Sequence, residues 1–113
     1  MIGHWLDAFW SRVAKRAARD PALRALEREL STVGTYFESM TYDELNDPDR
    51  DHVVTRQVDG TAMTFSGEAY DVRPNGDIAF CIDASIPGRR FSWLPSYRFF
   101  KRRDGSVYYT KKP

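Results

Sequence analysis

The chain holds one cysteine, Cys81, and so cannot close an internal disulfide. It has two histidines, His4 and His52, too far apart in sequence for a paired-histidine metal motif. No Ser/His/Asp order, CxxC pair or phosphate-binding glycine loop is present. Cys81 has no cation beside it in sequence to lower its pKa, and its apolar strand pattern reads as a buried, inert thiol. These absences remove the motif-borne hydrolases, dithiol redox enzymes and nucleotide hydrolases, and no cofactor is expected. No run approaches the roughly 18 apolar residues of a membrane helix. The N-terminus lacks the basic and apolar regions of a signal peptide. A cytoplasmic protein without a transmembrane segment is the expectation.

What is present is ordinary in amount and uneven in placement. A chain of 113 residues with 42% hydrophobic and 29% charged residues suits one soluble globular domain, residues 1–113. Aromatic content is 14%, enough to build a core, a groove or both from rings. Net charge is +1, yet residues 1–37, 38–83 and 84–113 sum to +2, −8 and +7. Such polarity bears on partners and steering rather than on fold.

In chain order, Ile2, Trp5, Leu6, Phe9, Trp10, Val13, Ala14 and Ala17 recur at helical spacing opposite Arg12, Lys15, Arg16 and Arg19. That amphipathic helix suits packing on the protein's own sheet, with a second subunit or a membrane surface as the alternatives. Asp20-Pro21 caps and opens a second helix. Its stripe of Leu23, Leu26, Leu30, Val33 and Phe37 carries it at least to Thr32, and Gly34 weakens it without ending it before Glu38. Thr41 and Glu44 match a capping box for one further helical turn. The Asp47/Asp49/Asp51 alternation resembles the start of a calcium loop. His52 and Val58 stand where that loop needs glycine and glutamate, so no metal site is expected. His52, beside this run, reads as a solvated loop residue rather than a general base.

Strands follow in hairpins. Asp59-Gly60 sets Val54 opposite Phe65 and Arg56 opposite Met63. The apolar phase then shifts between Phe65 and Tyr70, which demands an inserted residue, and Gly67 is its natural place. Pro74-Asn75-Gly76 turns the chain so that Val72, Tyr70 and Glu68 face Ile78, Phe80 and Ile82. Ala69, Ala79 and Cys81 then form a small-residue face. Phe91 and Trp93 suggest a short strand. Tyr97–Thr110 closes the chain as a hairpin about Asp104-Gly105. A two-residue loop pairs Phe100 with Tyr109. A loop with Gly105 as bulge residue pairs Phe100 with Tyr108.

The fold expected is therefore α+β: two N-terminal helices and a short third, packed on a curved antiparallel sheet of about five or six strands. At fold level this resembles the NTF2-like and cystatin-like class. The resemblance implies a small-molecule pocket between helices and sheet, which the rings of Tyr70, Phe80, Trp93 and Phe99 would suit. It carries over no residues and no activity.

The closing hairpin supplies the main functional expectation. Arg89, Arg90, Arg98, Lys101, Arg102, Arg103 and Tyr108 combine cations with rings in a chain without catalytic motifs. A small non-catalytic interaction protein of adaptor, inhibitor or immunity type fits best, with a protein partner or self-association. Nucleic-acid binding through the same residues is the alternative, with rings for stacking and cations for phosphates. Charges that merely guard a strand against edge pairing are the structural alternative.

Overall fold

The computed structural model describes residues 20–90 and 95–109. The expected first helix and the Phe91/Trp93 strand lie outside these residues.

Helix α1 spans Pro21–Glu38, and Asp20 caps it by accepting from the Ala22 amide at 3.0 Å. Its stripe of Leu23, Leu26, Leu30, Val33 and Phe37 is buried. The helix runs through Gly34 because the Tyr97 ring lies flush against that position. A Cβ built there would sit 2.7 Å from three ring carbons. The glycine is thus a notch for strand packing, at some cost in helix propensity. Helix α2, Tyr42–Leu45, has the expected capping box: the Glu44 amide donates to Thr41 Oγ1, and the Thr41 amide to Glu44 Oε1.

Among the described residues, five antiparallel strands form a meander in sequence order: β1 Val53–Val58, β2 Thr61–Val72, β3 Ile78–Ser85, β4 Ser96–Lys101 and β5 Val107–Tyr108. The first hairpin has the register read from sequence, Val54 to Phe65 and Arg56 to Met63. Asp59 and Gly60 both take positive φ, 51° and 79°, as its two-residue turn requires. The last hairpin takes the Gly105 register, Phe100 to Tyr108, with Gly105 at φ 95°.

The β2 bulge is real but displaced. Gly67 stays in register opposite Ile82, and the irregularity falls between Ala69 and Asp71. The absent Cβ of Gly67 makes room for Phe80, whose ring carbons would lie 2.7 Å from it. The glycine marks a close approach rather than an insertion. Ala69, not Tyr70, therefore faces Phe80, and Gly67, not Glu68, faces Ile82. The expected pair Val72 to Ile78 stands.

Helix α1 lies across one face of β2, β3 and β4. There Phe37, Phe80 and Phe99 form a chain of ring contacts with centroids 5.4 and 5.3 Å apart, and all three are fully buried. The other face carries Glu68, Asp71, Ala79, Cys81, Asp83, Arg98, Phe100 and Tyr108 by strand alternation. This outer face bears most of the residues of functional interest.

Candidate interaction surface

The basic hairpin is partly a structural device. Lys101 is only 4% exposed, and its Nζ donates to the Glu38 carbonyl at 2.7 Å, at the C-terminal end of α1. A cation there also opposes the negative end of the helix dipole. It does not belong to an accessible basic surface. Tyr108 is also buried. Its hydroxyl donates to Asp77 Oδ2 at 2.5 Å and accepts from Arg73 Nη1 at 3.2 Å. Burial, then the Asp77 carboxylate, pushes the Tyr108 phenol above its usual range.

Four side chains stack in sequence around this point. The Arg73 guanidinium lies 5.2 Å from the Phe100 centroid. Phe100 and Tyr108 are stacked at 4.9 Å and 14°. Arg102 covers Tyr108 at 4.3 Å. Cations over ring faces are held by the ring quadrupole. Arg103 stands 5.9 Å from the Tyr42 ring, whose hydroxyl donates to the Gly76 carbonyl. The turn around Arg102 is held by Asp104, which accepts from the Ser106 amide and hydroxyl. Those bonds hold its carboxyl below the usual range.

The remaining cations divide in two groups. Arg89 pairs with Asp20 at 3.0 Å, beyond the Ser85 end of β3, and Arg90 is exposed beside it. Arg102 and Arg103 lie beyond the Ile78 end. Those ends are about 23 Å apart at the usual strand rise, so the seven residues do not form one patch. Arg98 lies between, exposed, with its guanidinium 6.0 Å from the Tyr70 ring.

Tyr70, Asp71, Arg73, Ala79, Arg98 and Phe100 line an open cleft of about 350 Å³ on the outer face. Neither Arg73 nor Arg98 has a carboxylate within ion-pair distance among the described residues. The four rings expected to share a pocket do not line one space. Phe80 and Phe99 are packed in the core, Tyr70 stands 48% exposed on the opposite face, and Trp93 lies outside the described residues.

Two other expectations change. Cys81 is half-buried rather than buried, and strand pairing brings Arg98 beside it. Burial and Asp83 nevertheless push its thiol up, against the opposing pull of Arg98. A raised thiol is a poor nucleophile. His52 is not solvated. It is 8% exposed, edge-on to Phe37 and Phe80 at 5.9 and 5.4 Å, and neither ring nitrogen has a hydrogen-bond partner among the described residues.

Arg73 and Asp77 carried no signal in the sequence as site residues, because their partner Tyr108 lies more than thirty residues away. Among the described residues, no group of three or more His, Cys, Asp or Glu is placed to hold a metal ion. No helix among them is long and apolar enough to cross a membrane. No protein-family model, curated protein or solved structure matches the chain.

Proposed function

We propose that the chain is a small non-catalytic interaction module whose contact surface is the outer sheet face between Arg98 and the Arg102 turn. One observation carries this reading. Arg98 is an exposed guanidinium over an exposed tyrosine ring, beside an open cleft, without a carboxylate partner among the described residues. Arginine and tyrosine supply a large share of binding energy in protein interfaces. The stacked Arg73, Phe100, Tyr108 and Arg102 support the reading further, because side chains already ordered lose less entropy on binding.

The test is affinity capture from host lysate, with and without nuclease, by the wild-type chain and by Arg98→Glu/Arg102→Glu. Lys101 is left unchanged because it is buried. A stoichiometric protein that survives nuclease and is lost from the folded variant is the expected result. Equal capture by both chains overturns the placement of the surface. Capture that disappears with nuclease transfers the surface to nucleic acid.

A further inference from the structure

The outer-face cleft owes its shape to the bulge in β2. Ala69 pairs with Phe80 and Asp71 with Ala79, so Tyr70 has no partner across the strands. A bulge sets two residues against one and re-aims a side chain. Here Tyr70 and Asp71 stand together at a cleft that the small side chain of Ala79, the partner of Asp71, leaves open. Arg98 enters from β4 and Arg73 from the end of β2. Each guanidinium sits near a ring, Tyr70 for Arg98 and Phe100 for Arg73. Apart from Tyr108 Oη and Cys81, neither finds a polar side-chain partner among the described residues. Two guanidiniums without a carboxylate partner among the described residues line one cleft, which calls for an anion, and the planar fork of arginine matches a carboxylate or a phosphate.

The surrounding charges choose between these. Asp71 lines the cleft itself. Glu68 and Asp83 stand on the same face around Cys81, the cross-strand partner of Arg98. A phosphodiester chain would carry one charge per nucleotide across these three carboxylates, and like charges repel. A single carboxylate with uncharged neighbours sets one charge against the two arginines, and Asp71 is the one acidic side chain among the described residues lining the cleft. The exposed ring of Tyr70 suits an apolar or aromatic residue next to it.

We propose that this cleft seats one isolated carboxylate of a protein partner, an Asp or Glu side chain presented beside an aromatic residue. The inference rests on the interaction reading and names the partner's chemistry at that surface. Arg98 is the principal anchor, Arg73 the second, and Tyr70 the apolar wall.

The test is two-dimensional NMR of the full chain, titrated with short acetylated peptides. The first holds one Phe-Glu pair among serines and glycines. The second replaces Glu with Gln. A single-stranded oligonucleotide is the third probe. The Phe-Glu peptide is expected to shift the amides of Tyr70, Ala79 and Arg98. The Gln peptide is expected to bind about tenfold more weakly, the loss of one charge-assisted contact. Arg98→Gln should abolish the Phe-Glu shifts while its remaining spectrum stays that of the folded chain. Equal binding of the Glu and Gln peptides, or no binding even at low salt, overturns the proposal. So does an oligonucleotide that shifts the same amides at physiological salt, because the occupant is then a phosphate. If a lysate partner is lost from Arg98→Glu/Arg102→Glu while no Glu peptide binds, the carboxylate assignment falls and the interaction reading stands. If no lysate partner is lost either, both fall.

Discussion

The Tyr108 hydroxyl donates to Asp77 Oδ2 at 2.5 Å and joins strand β5 to the turn before β3, 31 residues away in the chain. Asp77 is 6% exposed, and Asn75 Nδ2 donates to the same oxygen. A buried carboxylate needs such donors, because an unsatisfied charge costs more than the bond returns. Tyr108→Phe keeps the ring stack and removes one donor. It is expected to destabilise the chain by about 1–3 kcal/mol. Urea denaturation followed by circular dichroism measures this, and an unchanged midpoint would show that the carboxylate is satisfied in another way.

Lys101 gives the matching prediction at the other face of the hairpin. Its Nζ reaches the Glu38 carbonyl from a nearly closed site. Lys101→Met keeps the stem and loses the hydrogen bond, at about 1–2 kcal/mol. Lys101→Glu buries an acid against that carbonyl and is expected to cost about 3 kcal/mol or more. If Lys101→Glu unfolds at the wild-type urea midpoint, the side chain is an accessible cation and returns to the interaction surface.

Local chemistry made most of the fold legible. The Asp20-Pro21 start, the Thr41/Glu44 box and the Asp59-Gly60 turn each depend on residues within a few positions of one another. The Gly67 bulge was misplaced because a glycine in a strand has two meanings, and only the Phe80 ring across the sheet decides between them. His52 looked solvated beside its aspartates for the same reason, since Phe37 and Phe80 reach it from distant elements. At the candidate surface, composition identified Arg98, Arg102 and Arg103 as cations near rings. It could not separate Lys101 and Tyr108, whose partners Glu38 and Asp77 are set by tertiary packing.

Three tyrosines make the chain sensitive to alkali. Burial and the Glu38 carboxylate raise Tyr97, burial and Asp77 raise Tyr108, and a hydrogen bond to Glu38 raises the exposed Tyr109. Each phenol holds its proton more tightly folded than unfolded, where its pKa is about 10. The stability this contributes is complete below about pH 10 and is lost as pH rises through the folded values. The urea midpoint should fall above about pH 10, and the fall should be shallower in Tyr97→Phe. Parallel pH profiles for the two chains would remove Tyr97 from this account.

His52 is packed edge-on to Phe37 and Phe80, and its two buried nitrogens have no hydrogen-bond partner among the described residues. An imidazole there forfeits its hydrogen bonds to water without replacement. His52→Leu removes the polar atoms and keeps much of the volume, so a gain of about 1 kcal/mol is expected. A loss of stability in the same urea measurement would mean that the nitrogens are hydrogen-bonded in solution.

Gly34 sets two rules against each other. In an exposed helix interior, Gly→Ala gains about 1 kcal/mol from propensity. Here the new methyl carbon would lie 2.7 Å from the Tyr97 ring, itself held by the bond from its hydroxyl to Glu38 Oε1. Overpacking of that kind costs about 1–3 kcal/mol, so Gly34→Ala is expected to destabilise. The sign should reverse when the ring is gone: in a Tyr97→Ala background the same substitution should stabilise the chain. The double-mutant cycle isolates the contact, because each change alone also alters helix propensity or core volume. Additive effects across the cycle would mean that the ring does not press on Gly34, and the glycine would then have no packing reason to stand inside the helix.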